Sequence, residues 1–363
     1  MMRFTTLLRH PADWMTGHRA KTSVVLTSRV RLARNLAKAP FPGWARKKER
    51  QAVRCSLQGK LEAIPGMKDG FSHELCDLEP LQKQVLVERH LISREQAARS
   101  EGSGSVVNRK QTLSLMINEE DHLRIQAILP SLQLKEAFKL AHTIDQSLEK
   151  VVDFAIDPTL GYLTACPTNL GTGMRASSML HLPGLVLSDQ IGQVLKGINK
   201  LGLAVRGLYG EGTESLGNLY QISNQSTLGE SEEEILDRLT KVIGDVALYE
   251  LQARKRLMIE DPVMVRDRIG RAAGNLSYAH IITSKEALNH LSMLRLGADL
   301  QLLPADLVET CDRLFMETQP AHLQWRAGRK LEPEARDILR AQMIREQLQS
   351  SLPPAIDITG KES

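Results

Sequence analysis

The sequence is short of several things, and each shortage excludes a class of protein. Its 363 residues hold four cysteines, Cys55, Cys76, Cys166 and Cys311. None stands in a CxxC pair and no His/Cys group has zinc-ligand spacing, so no structural metal site is expected and the thiols read as reduced. No stretch approaches eighteen apolar residues, and the N-terminal MMRFTTLLRHPADW lacks a continuous apolar core, so neither a membrane span nor an export signal is expected. The net charge of +4 is too small to imply nucleic acid or an anionic membrane. The usual phosphate-binding devices are missing as well. There is no GxxxxGK[ST], no GxGxxG, and neither the HRD nor the DFG element of ordinary protein kinases. No internal repeat or low-complexity block is present. A cytoplasmic globular protein is the expectation.

What is present is ordinary in amount and unusual in kind. Hydrophobic content of 42% and charged content of 25% suit a globular chain long enough for two domains. Arginine outnumbers lysine, 29 to 18, a bias that favours forked recognition of phosphate or carboxylate, although GC-rich coding gives the same bias. Residues 24–35 read as a strand leading into a basic turn, 111–118 as a strand, and 133–152 as an amphipathic helix. Short strands are expected at 160–166, 203–208 and 218–223, with a helix near 190–200. Strand and helix do not alternate regularly, so the fold class reads as α+β. Ser231 before Glu232, Glu233 and Glu234 marks a helix start. Beyond Pro262 the periodicity is helical, with breaks expected near Gly297, Pro304, Pro320 and Pro333. The expected organisation is a domain over 1–256, a helical domain over 257–350 and a loose tail over 351–363.

The chemistry is carried by arginines in strand or loop context, namely Arg29 and Arg31 in TSRVR, Arg124 in NEEDHLR, Arg175 in GMRAS and Arg206 in RGLYGEGTE. Alternation puts Arg29 and Arg31 on one face of an extended segment. Singly each reads as a solvated surface residue; together they form a cage suited to a triphosphate. NEEDH supplies Glu119, Glu120 and Asp121, and GEGTE supplies Glu211 and Glu214. Carboxylates beside a thiol suit attack by a guanidinium nitrogen, which needs to be oriented and to lose a proton.

These motifs, in this order over residues 24–255, resemble those of the phosphagen kinases, the arginine and creatine kinase family. The resemblance implies an antiparallel sheet flanked by helices, and ATP as the phosphoryl donor with Mg²⁺ carried on its phosphates. It assigns nucleotide contacts to Thr27, Ser28, Arg29, Val30 and Arg31, and to His90 in VERHLIS. It adds Arg124, then Arg175, Ala176, Ser177, Ser178 and Met179, and finally Arg206, Gly207, Leu208, Tyr209, Gly210 and Glu211. Glu120 and Glu211 fall where the family's two substrate carboxylates stand, with Asp121 adjacent and open to the same role. Cys166 in CPTN matches the family's reactive cysteine, in activation or positioning and not covalent catalysis.

Two departures point to a branch. Only 26 residues precede Thr27, too few for the domain that helps small-guanidine kinases enclose a free amino acid, and a helical domain is added at the other end. Both features are similar to the bacterial kinases that phosphorylate arginine side chains within proteins. RDILRA, Arg336 to Ala341, reads on its own spacing as a solvated helix face. It matches the RDxxRA phosphoarginine pocket of that branch, in which Arg336 and Arg340 hold the phosphoryl group and Asp337 the guanidinium. The resemblance further implies protein substrates with accessible arginines, a homodimer, an activator protein, and a Clp-type protease system in stress regulation. Two other readings stand beside it, a kinase of free arginine or another small guanidine, and a catalytically dead phosphoarginine-binding adaptor.

Overall fold

The computed structural model describes residues 2–9, 11–12, 24–207, 215–349 and 351–352. The described residues form ten strands: β1 (Val25–Arg34), β2 (Phe71–Glu74), β3 (Gly104–Val107), β4 (Leu113–Ile117), β5 (Leu123–Pro130), β6 (Ile156–Asp157), β7 (Gly161–Tyr162), β8 (Met174–His181), β9 (Leu203–Gly207) and β10 (Leu219–Asn224). Eight of them build one sheet in the order β2-β3-β4-β5-β1-β8-β10-β9, antiparallel throughout. Strands β6 and β7 form a separate hairpin. The expected turn in 24–35 is strand to its end: Arg29, Arg31 and Arg34 all lie in β1. The strand expected over 160–166 shrinks to Gly161–Tyr162, because Pro167–Asn169 turns into a 3₁₀ helix.

An antiparallel sheet can keep one face dry and the other open, and this one does. Val30 and Leu32 of β1, Ile125 of β5, Ala176 of β8 and Ile222 of β10 are buried in one core cluster. The helices Leu134–Glu149 and Glu232–Glu260 cover that face, the first through Leu134, Ala137, Ala141, Ile144 and Leu148. Ser231 begins the longer helix as its spacing predicts. Its side chain accepts from the Glu234 amide while Glu234 reaches back to the Ser231 amide.

That long helix runs through the expected boundary at 256–257 and ends at Asp261, whose side chain accepts from the Met264 amide and starts the next helix, Pro262–Tyr278. The helices Ser284–Asp299, Leu307–Glu317, Pro320–Ala327 and Pro333–Leu348 follow. Pro320 and Pro333 open helices, where a missing amide costs nothing. The break expected near Gly297 comes at Asp299, where that helix ends; Gly297 itself lies in its last turn, where a Cβ would stand 2.8 Å from both Ile269 and Leu303.

The helical region has its own apolar cluster, which takes in Leu219 of β10. It is also fastened to the sheet by buried polar groups. Arg254 pairs with Glu250 at 2.6 Å and Asp299 at 3.0 Å, and Arg295 with Asp299 at 2.9 Å and Asp312 at 2.7 Å. Arg295 Nη1 donates to His181 Nδ1 at the end of β8, and the ring's Nε2 hydrogen goes to Ser292 Oγ. Glu250 is fully buried and also accepts the Gly184 and Leu185 amides. Glu250→Ala therefore leaves Arg254 and two amides short of an acceptor, and we expect a loss of about 3 kcal/mol in chemical denaturation. Glu250→Gln, which keeps one of the two acceptor oxygens, should lose less.

Candidate active site

The sheet register assembles the site. Arg29 of β1 stands opposite Ser177 of β8, and Arg31 opposite Arg175. On the other side Arg31 stands opposite Gln126 and Ala33 opposite Arg124, both on β5. Gln221 of β10 is paired with Met179 on one side and Arg206 of β9 on the other. Residues opposite one another share a face, so Arg29, Arg31, Arg124, Arg175 and Arg206 all project from the face the helices leave open. With Arg94 and Arg99 they line a cleft of about 1010 Å³ that holds, among the described residues, seven arginines and three acids, Glu95, Glu119 and Glu120.

The guanidinium groups are under strain from one another. Burial, then Arg175 and Arg124, lowers Arg29 to about 10. Arg31 is lowered well below its usual value by burial and by Arg29, Arg124 and Arg175. Arg175 is lowered by burial, then by Arg206 and Arg124, while Cys166 acts in the opposite sense and so lies within electrostatic reach. The Nε atoms of Arg31 and Arg175 are buried with no hydrogen-bond partner among the described residues. Such donors favour an anion with several oxygens.

Arg124 is held by a fork of acids. Its Nη1 meets Glu119 Oε1 at 2.8 Å and its Nη2 meets Glu120 Oε2 at 3.1 Å. Glu119, offered from the sequence only as one of the NEEDH acids, is buried and bonded at both oxygens. It accepts from Ser93 Oγ at 2.6 Å and from the Glu120 amide at 2.7 Å. Glu120 keeps 44% of its side chain exposed. Partial burial raises its pKa, Arg124 lowers it, and Asp121 and Glu119 raise it further.

Asp121 does not share that position. It is wholly buried, and one carboxylate oxygen accepts from Asn35 Nδ2 at 2.6 Å and from the Ala165 amide at 2.7 Å. It ties the NEEDH turn to the CPTN loop and does not line the cleft. That loop is clamped elsewhere too, since Thr227 Oγ1 donates to Leu170 O at 2.6 Å. Gly171 and Gly173 have φ of 102° and 64°, and a Cβ at either would fall within 2.6 Å of a backbone oxygen, Thr227 O or Ala33 O. Ala165 lines the cleft, and Cys166, partly exposed beside it, has its Sγ 3.0 Å from Thr168 Oγ1.

Four expected nucleotide contacts fall on the wrong face. Val30 and Ala176 belong to the apolar core, and Ser28 Oγ donates to Ser131 O and lies 3.2 Å from Ser178 Oγ. Period-two alternation turns all four side chains away from the cleft, whereas Thr27, Ser177 and Met179 share the register of Arg29 and Arg175. Gly207 lines the cleft. Leu208, Tyr209, Gly210, Glu211 and Glu214 lie outside the described residues. Arg94, Arg99 and Glu95 were not singled out from sequence. Ser93 with Gln96 three residues on was the available signal, and Ser93 Oγ does accept the Gln96 amide to start the helix Arg94–Ala97.

His90 lines a second cavity of about 410 Å³ that joins the first along Arg29, Arg31, Arg94 and Arg124. Burial, then Arg29, lowers it to about 3, so its ring is neutral near pH 7. In RDILRA, Arg340 is buried: Nε donates to Thr318 O at 3.0 Å, Nη1 to Ile282 O at 2.9 Å, and Asp337 is its ion-pair partner. Ala341 is in the core and Arg336 is partly exposed. Arg340 and Ala341 therefore do not form the solvated face that spacing alone suggested.

Arg31→Ala removes a guanidinium with no hydrogen bond from its buried Nε among the described residues, so we expect it to weaken ATP binding roughly 10- to 100-fold by calorimetry with little change in stability. His90 gives a pH signature. An unfolded histidine titrates near 6.5 and this one near 3, so between those values the unfolded chain holds a proton that the folded chain lacks. Its share of stability is thus lost as pH falls below about 6.5. His90→Asn, which tolerates the left-handed backbone (φ 57°) found there, should flatten the difference between denaturation midpoints at pH 7 and pH 5.

Comparison with known proteins agrees with this geometry. Residues 54–253 match the profile of the ATP:guanido phosphotransferase C-terminal catalytic domain, and residues 262–358 that of the protein-arginine kinase McsB C-terminal domain. The protein-arginine kinase of Pelotomaculum thermopropionicum is 45% identical over 340 residues, covering 92% of this chain and 95% of that one. That of Syntrophomonas wolfei is 46% identical over 342 residues, covering 93% and 95%. Among solved structures, lombricine kinase aligns with a TM-score of 0.57 at 26% identity, over 69% of this chain and 74% of that one. Sheet, cleft and sequence thus agree: the chain belongs to the ATP:guanido phosphotransferase family.

Proposed function

We propose that the chain transfers the γ-phosphoryl group of ATP to a guanidino nitrogen of arginine side chains in proteins. The observation that carries this reading is the open acid Glu120 at a cleft otherwise dominated by guanidinium groups. Arginines there would hold the phosphates and offset the charge on the transferring group. The acceptor guanidinium is protonated near pH 7 and has no free lone pair. Glu120 would orient it and take a proton as the new N–P bond forms and the bond from Pγ to the ADP oxygen breaks. Glu211 would share that task, and Cys166 would lie beside the guanidino group.

Mg²⁺ in this reading rides on the phosphates. Among the described residues the cluster with metal-ligand geometry is Glu74, Cys76 and Asp77, which does not line the cleft. A homodimer also belongs to the reading, supported by Ile259, Val263, Tyr278 and Ile281, apolar residues left exposed near the helix Pro262–Tyr278. The activator, the protease system and a cytoplasmic location rest on the resemblance; no helix among the described residues is long and apolar enough to cross a membrane. A phosphoarginine pocket at Arg336, Asp337 and Arg340 would require Asp337 to exchange the Arg340 guanidinium for that of the ligand.

The test is to incubate the full chain with ATP and either an unfolded arginine-rich protein or free arginine, following acid-labile phosphate by ³¹P NMR. Label on the protein alone is the expected result. Label on free arginine alone would make this a small-guanidine kinase, and ATP binding with no transfer would make it an adaptor. Glu120→Gln should cut the rate roughly 100-fold or more while ATP binding changes little.

A further inference from the structure

The second cavity is not needed for phosphates. Apart from the four arginines it shares with the main cleft, its lining carries one formal charge, Glu88. That carboxylate is spent: it accepts the Ala321 amide at 2.8 Å, the His322 amide at 3.0 Å and His322 Nδ1 at 2.7 Å. The remaining surface is apolar (Val87, Ile92, Met116) or neutral and polar (His90, Gln126, Gln319). A nucleotide has one polyanionic end and one flat, uncharged end with hydrogen-bonding edges. The cleft suits the first and this cavity the second, and the two are continuous along Arg29 and Arg31.

One wall of the cavity comes from the helical region, as Gln319 and Pro320. Its position is fixed from both sides. Glu88 seats the first turn of the helix Pro320–Ala327 two residues before His90, and Arg340 Nε holds Thr318 O, one residue before Gln319. Gln319 is itself oriented, since Nε2 donates to Phe315 O at 2.8 Å, which leaves Oε1 as the acceptor for a partner.

We infer that the helical region completes the nucleotide site, with Gln319 and Pro320 forming a wall against the base and Gln319 acting as a specificity residue for it. The inference rests on the ATP-binding reading above. It makes the added helices part of substrate binding, so that a movement of the segment 318–322 is felt as a change in nucleotide affinity.

The experiment compares two probes on the full chain by calorimetry, ATP and inorganic tripolyphosphate, which has the phosphates without the base. Gln319→Ala should weaken ATP roughly three- to tenfold and leave tripolyphosphate unchanged. Gln319→Trp, which fills the cavity, should abolish the preference for ATP over tripolyphosphate, with melting temperatures of both variants confirming a folded chain. Unchanged ATP affinity in both variants overturns the inference, as does equal weakening of the two probes. If the unaltered chain binds neither probe, the ATP-binding reading itself fails.

Discussion

Guanidinium groups repel one another, and the open face of this sheet brings five of them together from four strands. Contacts such as Arg124 with Glu119 and Glu120 and Arg29 with Gln221 offset only part of that repulsion. The hold comes from the other face, where Val30, Leu32, Ile125, Ala176 and Ile222 are buried beneath two helices. One strand therefore does both jobs: β1 alternates Arg29 and Arg31 outward with Val30 and Leu32 inward. A register slip of one residue would bury the arginines and expose the apolar set. The apolar core thus fixes the register, and the register imposes a concentration of positive charge that an anionic ligand relieves.

The acids are arranged around that charge with a division of labour. Glu119 neutralises part of Arg124 from a buried position, with Ser93 and the Glu120 amide also donating to its oxygens. Glu120 touches the same guanidinium from the exposed side. Asp121 turns inward and holds Asn35 and Ala165. Three consecutive acids therefore serve as counter-ion, candidate base and loop anchor, because a tight turn sends each side chain in a different direction.

Much of this was legible before folding. Alternation in TSRVR placed Arg29 and Arg31 on one face, and the Ser231 spacing marked a helix start that the structure shows capped on both sides. The contacts assigned as unbroken runs were less sound. Ser28, Val30, Ala176 and Ser178 sit inside motifs, yet a strand shows only every second residue to the ligand. Pairings such as Arg31 with Arg175 span most of the catalytic region, and no local pattern encodes them. The helix end expected near Gly297 falls at Asp299, while Gly297 itself stays helical and permits Ile269 and Leu303 to pack close.

The arginines themselves show what separates scaffold from site. Arg34 spends its donors on Asp145, Ala33 O and Thr172 O and stacks 3.4 Å over Tyr162. Arg254 and Arg340 are likewise bonded to carboxylates and carbonyls. Burial separates the two groups in part, since Arg34, Arg254 and Arg340 are buried whereas Arg29 and Arg31 are only partly so. Unused capacity adds to this only together with position: Arg31 and Arg175 keep a buried Nε without a partner among the described residues, as Arg54, Arg238 and Arg313 do elsewhere, but Arg31 and Arg175 line the cleft. A satisfied buried arginine stabilises the fold it sits in. One that lines a cleft and is left incompletely bonded there is placed for an anionic ligand. RDILRA shows the same contrast of position, because Arg340 is buried and bonded to Thr318 O, Ile282 O and Asp337, whereas Arg336, one turn earlier, is partly exposed.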